Sequence, residues 1–391
     1  MTPEEKQEKA RVNRIMSKGP IDLPFALLVL LLTAIGVLMV FSASFARAYY
    51  EASDPSAMAA LSVFLRQAGF AVVGMIAMFV VSKIDYHKWR RWAVPILILA
   101  IILLVLVIIP HNPLAITRNN ATRWLGVGGF SFQPSEVAKF AVILYFAATI
   151  SVKKDRMLRF KEGFFDYVIV LGLISVLMLR EPHLSGTVLI LGIGACMMFV
   201  GGISRKMVAF GVGIGVLGVV TLLSGVLPYG QSRILQWRDP WAYAADKGYQ
   251  TVQSLLAIGS GGLAGVGFGK GRQKLLYLPE EHNDMIFSIV CEELGFIGAA
   301  LILALFCFLV LRGYWIAVHA RDRFGGLLAV GITTMIALQT FLNVAVVTNF
   351  VPNTGISLPF FSYGGTALLI QLGEMGILLS VSRQMPGPKA G

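Results

Sequence analysis

Five carboxylates (Glu280, Glu281, Asp284, Glu292 and Glu293) crowd the stretch 278–295, LPEEHNDMIFSIVCEELG, in a chain with 21 acidic residues among 391. The run that follows, FIGAALILALFCFLVL, is apolar enough to enter a membrane, where an ionised side chain is costly and usually functional. A carboxylate at such a mouth, in reach of water but backed by apolar neighbours, is a base strengthened by partial desolvation. Read as a helix from Asn283 at about 100° per residue, the stretch places Asp284, Ser288, Cys291, Gly295 and Gly298 on one stripe of small or polar side chains. Such a stripe faces other helices or a cavity. Glu292 falls at its edge and Glu293 nearly opposite, so Asp284 reads either as a base at the mouth or as a helix-start carboxylate with structural acids below it. The two deeper acids are assigned to helix packing and polar pairing.

Other stretches supply complementary chemistry. In ATRWLGVGGFSFQPSEVAKF (121–140), Pro134 suits the first turn of a helix, and Ser135 and Glu136 favour its positive end. Capping does not account for Lys139, which stands at i+3 from Glu136 and can pair with it. Arg66, Arg123 and Arg180 carry guanidinium groups able to clamp a phosphate through two parallel hydrogen bonds. The glycine-rich GSGGLAGVGFGKG (259–271) is not a nucleotide loop. A Walker pattern needs Gly where Ala264 stands and Ser or Thr where Gly271 stands. A tightly turning segment is expected there, with Lys270, Arg272 and Lys274 either solvated or against lipid phosphates. His111, His183 and His282 lack the paired spacing of a zinc site. A divalent cation (Mg or Mn) held loosely by carboxylates and a substrate pyrophosphate fits better, and no covalent cofactor is implied.

Positioning these groups falls to membrane helices. The chain is 56% hydrophobic and 14% charged, and its apolar residues come in blocks of about 20, the length of a bilayer span. The expected fold is an all-α polytopic membrane protein with ten transmembrane helices, near 23–45, 61–82, 93–109, 134–152, 164–180, 185–203, 207–226, 283–311, 324–349 and 362–383. Residues 1–22 and 384–391 form tails, and 227–282 is a large loop between the seventh and eighth spans. Cys196, Cys291 and Cys307 lie within apolar runs and read as buried thiols. Alternate connections are rich in Lys and Arg, from Lys6–Lys18 through Lys83–Arg91 and Lys153–Lys161 to Arg321 and Lys389, whereas the opposite short loops hold Arg47, Arg118 and Arg123. Both termini are therefore expected in the cytoplasm, with the net charge of +12 serving topology and not nucleic acid. The polar motifs then gather at the outer face.

Taken together, TRWLGVGGFSFQPSEVAKF, EPHLSGT, the block 248–295 and VPNTGISLPFFSYGG resemble the SEDS (shape, elongation, division and sporulation) family over essentially the whole chain. Their wording is closer to its FtsW branch than to RodA. The resemblance implies a glycosyltransferase that polymerises lipid II, with a class B penicillin-binding transpeptidase as partner and other divisome proteins nearby. It also implies the cytoplasmic membrane, at the division septum, and carries the family's essential aspartate onto Asp284. His183 stands where relatives often have Asp, Asn283 where Thr is common and Met285 where Phe is common.

On this reading Asp284 is the general base, and Arg66, Arg123 and Lys139 stabilise the leaving pyrophosphate. Glu280 and His282 orient the acceptor or tune Asp284. Glu136, Ser362 and Tyr363 complete the expected substrate contacts. The alternative is a lipid II flippase, which needs a site reachable from both faces; the clustering of polar motifs at one face favours the enzyme.

Overall fold

A computed structural model describes residues 19–50, 57–110, 112–118, 121–127, 130–211, 213, 215, 234–246 and 248–385. In lipid every backbone polar group needs an internal partner, so apolar blocks become helices. In chain order these are α1 (Leu23–Tyr50), α2 (Ala57–Lys83), α3 (Ala93–Ile108), α4 (Pro134–Lys153), α5 (Asp166–Arg180), α6 (Leu184–Val200), α7 (Tyr249–Gly261), α8 (Ile286–Val318), α9 (Arg323–Val347) and α10 (Gly365–Ser382). Among the described residues eight helical segments are long and apolar enough to cross a membrane, and the shorter apolar α6 adds a ninth candidate. They coincide with nine of the ten expected segments. The remaining one, 207–226, lies largely outside the described residues, as do most of both expected tails.

Contacts distant in sequence define the two ends of the bundle. At one end the Gly19 amide donates to the Arg383 carbonyl (2.7 Å), Arg312 pairs with Asp22 (2.8 Å), and the Tyr86 hydroxyl donates to Asp322 (2.9 Å). The start of α1 therefore lies beside the last turn of α10. The other end, called here the site end, carries the conspicuous polar motifs.

Two features depart from expectation. The fold is not purely helical: β1 (Ala115–Arg118), β2 (Ala121–Val127) and β3 (Phe130–Phe132) form an antiparallel sheet in the order β1-β2-β3. Ile116 lies opposite Trp124 and Leu125 opposite Phe132. β-Branched and aromatic residues at these positions favour paired strands over helix. Second, the long connection is not simply a loop. Helix α7 packs along the first turns of α8, and the glycines after it turn the chain back.

That turn requires glycine. Gly262, Gly265, Gly267 and Gly269 all have positive φ, as does Gly295, which kinks α8 (φ 67°). The kink lets the turn complete the backbone hydrogen bonding of α8: Val266 and Gly267 amides donate to the Glu292 and Glu293 carbonyls, and Phe296 and Ile297 amides to those of Gly262 and Leu263. A β-carbon at Gly265 would collide with the Glu293 carbonyl, and the φ of 80° is itself adverse to an L side chain. Gly265→Ala is therefore expected to cost on the order of 2–3 kcal/mol, read as a fall in unfolding temperature of the detergent-solubilised protein. An unchanged temperature would contradict the fit.

The same region settles the deeper acids. Glu293, buried, pairs with Lys274 (2.6 Å) and accepts from Ser42 on α1 (2.8 Å). Glu292 accepts the Arg272 and Gln273 amides (2.7 and 3.2 Å). Their assignment to packing and polar pairing matches this arrangement. Lys274 is neither solvated nor at a lipid phosphate, because Glu293 draws it into the interior, where it is 5% exposed. All three cysteines are free, and Cys307 is exposed rather than buried, on the apolar flank of α8.

Candidate active site

The site forms where four connections meet. Pro134 opens α4 directly after β3, with Ser135 and Glu136 in its first turn. The EPHLS turn joins α5 to α6, the PEEHND segment leads into α8, and the loop 351–364 leads from α9 to α10. Between them lies a cavity of about 1530 Å³, large enough for a bulky polar ligand. Its walls include Asp284, Arg66, Arg123, Glu136, Lys139 and Glu280, together with His282, Ser362 and Tyr363. Nine of the residues expected at the site thus border one space. Arg180, named as a possible phosphate clamp, is an exception; it ends α5 with its side chain exposed and does not line the cavity.

Asp284 is not on a helix. Helix α8 begins at Ile286 and bends at Gly295, so the continuous stripe expected from helical phase does not form. The aspartate sits in a turn, where a web of hydrogen bonds holds it. The Ser362 hydroxyl donates to the Asn283 carbonyl (2.7 Å) and accepts from the Leu358 amide (2.7 Å). The Tyr363 amide donates to the His282 carbonyl (2.8 Å). Ser362 is thereby engaged in holding backbone, although it also borders the cavity.

Electrostatics at the turn are set by burial. The Asp284 Oδ1 atom is buried without a hydrogen-bond partner. Burial first, and then the negative charge of Glu280, push this carboxyl up to about 7, against the His282 and Arg123 charges. Glu281, beneath it, is buried, accepts from Arg47 on α1 (2.7 and 2.9 Å) and lies 3.3 Å from His282 Nδ1. Burial opposes its ionisation, but the hydrogen bonds from His282 and Arg47 outweigh that and hold it below the usual carboxylate value. On the facing wall, Arg123 donates to the Glu181 and Pro182 carbonyls. Lys139 and Glu136, 3% and 7% exposed, form an ion pair of 2.8 Å, and Lys139 also reaches Gln339 Oε1 at 3.4 Å.

Sequence reasoning left several buried polar groups in or beside the cavity outside the expected site. Glu181 is buried with both carboxylate oxygens unpartnered, and burial pushes it up to about 8 against the pull of Arg123. His183 lines the cavity, with burial and then the Arg123 and Lys139 charges pushing it down to about 3. Its motif was the signal available. Gln339 and Asn343, buried amides in the mainly apolar α9, could have been found as amides out of place in a membrane helix. Among the described residues no group of three or more His, Cys, Asp or Glu side chains could hold a metal ion.

The arrangement sets the Asp284 carboxyl, held above its usual pKa by burial, and the cationic side chains of Arg66, Arg123 and Lys139 around one polar space. That suits a reaction in which a hydroxyl is deprotonated while negative charge develops on a departing group.

Comparison with known proteins agrees. Residues 23–386 match the profile of the cell cycle protein family named for FtsW, RodA and SpoVE. The probable peptidoglycan glycosyltransferase FtsW of Geobacter sp. (strain M18) is 39% identical over 366 residues, 94% of this chain and 98% of that protein. Stage V sporulation protein E of Bacillus subtilis (strain 168) is 42% identical over 367 residues, 93% of this chain and 97% of its own length. Among solved structures, the rod shape determining protein RodA of Thermus thermophilus superposes with a TM-score of 0.68 at 24% identity, covering 94% of this chain and 98% of that one. A chain from a peptidoglycan synthase complex that coordinates polymerization and crosslinking gives a TM-score of 0.77 at 24% identity, covering 93% and 98%. These two structures establish the fold.

Proposed function

The chain belongs to the FtsW, RodA and SpoVE family of cell cycle proteins, and from that premise we propose that it is a peptidoglycan glycosyltransferase polymerising lipid II at the outer face of the cytoplasmic membrane. The observation that carries this reading is the convergence of Asp284 with Arg66, Arg123 and Lys139 on one cavity. In the reaction, Asp284 takes the proton of an acceptor sugar 4-hydroxyl. The hydroxyl oxygen attacks the donor's anomeric carbon, and the bond from that carbon to undecaprenyl pyrophosphate breaks, its electron pair leaving with the phosphate oxygen. One displacement inverts the α linkage to β, and a single base with facing cations suits that better than a covalent intermediate on two carboxylates. The three cations meet the growing charge of the leaving group, with Glu280 and His282 orienting the acceptor and Tyr363 and Glu136 bordering the substrate. A divalent cation, if bound, would be shared between carboxylates bordering the cavity and the substrate pyrophosphate, where it would supply further positive charge to the leaving group.

The wider reading has ten spans, both termini in the cytoplasm and the large connection outside, a septal location, and a class B penicillin-binding transpeptidase as partner. Purified protein with that partner and lipid II should yield glycan strands. Rapid translocation of lipid II across vesicles with no polymer formed would favour a flippase instead.

The raised Asp284 pKa sets the pH dependence. A base must be unprotonated, so the rate at saturating lipid II should fall roughly tenfold per pH unit below about 7. A rate independent of pH down to about 5 would show instead that the carboxyl titrates in the ordinary carboxylate range.

A further inference from the structure

We infer that Asn343 is a positioning residue for the reaction, holding Asp284 against the loop 351–364 through its side-chain amide. The inference rests on the reading of Asp284 as the base. Asn343 lies four residues from the end of α9 and is fully buried. Its Nδ2 atom donates both to the Asp284 carbonyl (2.8 Å) and to the Ile356 carbonyl (2.6 Å). One amide thus joins two segments 72 residues apart in the chain, the turn before α8 and the loop before α10. Its Oδ1 atom has no hydrogen-bond partner. A buried, half-satisfied amide in a membrane helix is unfavourable unless the geometry it imposes is useful.

What it imposes is the wall beside the carboxylate. Gly355, next to Ile356, has φ 66° and faces Asp284; a β-carbon there would stand 3.0 Å from Oδ2. The Gly355 carbonyl is in turn held by the Ser185 hydroxyl at 3.3 Å. Asn343 clamps this wall to the aspartate main chain, so the carboxylate is desolvated on one side while the other side faces the cavity. The Asn343 amide bonds the Asp284 main-chain carbonyl and neither carboxylate oxygen, so the residue acts on where the base stands and not on its proton. The charged groups facing Asp284 are Glu280 and His282 from its own segment and Arg123 from β2, with His183 and the Lys139–Glu136 pair across the cavity. None of them bonds Asn343 in the structure.

The test is the rate of lipid II polymerisation by the full-length protein with its transpeptidase partner, measured against pH and lipid II concentration. Asn343→Ala should lower kcat on the order of 100-fold, the scale of an ångström-level misplacement, with KM changed by less than about threefold. The acid limb of the profile should move to lower pH as Asp284 relaxes toward water. The isosteric Asn343→Asp keeps the side-chain volume if the alanine variant does not fold, and its added negative charge should move the limb the opposite way. General damage lowers the rate without moving the limb, so an unshifted limb in both variants would overturn the inference. If Asp284→Ala is inactive while Asn343→Ala matches the parent, this inference alone fails. If Asp284→Ala still polymerises, the base assignment fails first.

Discussion

Asp284→Asn should abolish glycan polymerisation, with a loss of about 10²- to 10⁴-fold in kcat, the usual contribution of a positioned general base. The protein should still fold and still bind lipid II, because no side-chain hydrogen bond to Oδ1 is lost and Asn keeps the shape that Gly355 approaches. Stability supplies an independent check of sign. The Asp284 carboxyl is raised from 3.8 to about 7, so the folded state favours its protonated form. The stability from this preference is present in full below the ordinary carboxylate value and is lost as pH rises to about 7. Asn does not titrate. Its unfolding temperature relative to the parent should therefore climb between about pH 4 and pH 8, with the gain saturating above about 7 and reaching a few kcal/mol at most. Full polymerisation by the Asn variant would remove Asp284 as base. A stability difference independent of pH would show instead that its burial is not what tunes it. An enzyme that gains stability on losing its base is the expected trade at a site shaped for reaction.

Much of this was legible in the residues. Apolar block length placed nine helical segments, with ends off by up to seven residues, since helices and closed barrels are the solutions the bilayer leaves and blocks of this length suit the helix. Side preference of Lys and Arg, together with motif chemistry, directed Asp284, Arg123, Lys139 and Glu136 to one end before any geometry was known. Helical phase failed at Asp284 for a local reason. The left-handed Gly295 bends α8, and the PEEHND turn ahead of it includes Glu280, itself at positive φ. Periodicity cannot register either feature. What was hidden altogether rests on long-range pairing. Lys274 reads as surface charge until Ser42, 232 residues away, and Glu293 are seen around it. Asn343 reads as an incidental amide until the loop 351–364 folds back over it. In each case the missing information is a partner, not a propensity.

Lys139 offers the second large effect, and it separates pairing from chemistry. Lys139 and Glu136 are nearly fully buried and 2.8 Å apart, and Glu374, a buried carboxylate on α10, lies within electrostatic range of both. Lys139→Met leaves Glu136 without its counter-charge, and breaking a buried pair from one side costs about 3–5 kcal/mol. Expression and unfolding temperature should fall accordingly. Removing both charges, as in Glu136→Gln with Lys139→Met, takes away the uncompensated charge and should recover most of that stability, since a buried pair often contributes little net. Activity divides two roles that the single variant confounds. If Lys139 serves only to neutralise Glu136, the double variant recovers polymerisation along with its fold. If its charge also meets the leaving pyrophosphate, as proposed, the double variant folds but stays slow by about 10²- to 10³-fold in kcat, the scale of one lost electrostatic donor at a developing charge. A stable double variant with parental kcat would take Lys139 out of catalysis and leave Arg66 and Arg123 to meet the pyrophosphate. A stable, slow one would place a cation from α4 on the departing phosphate, across the cavity from the base that starts the displacement.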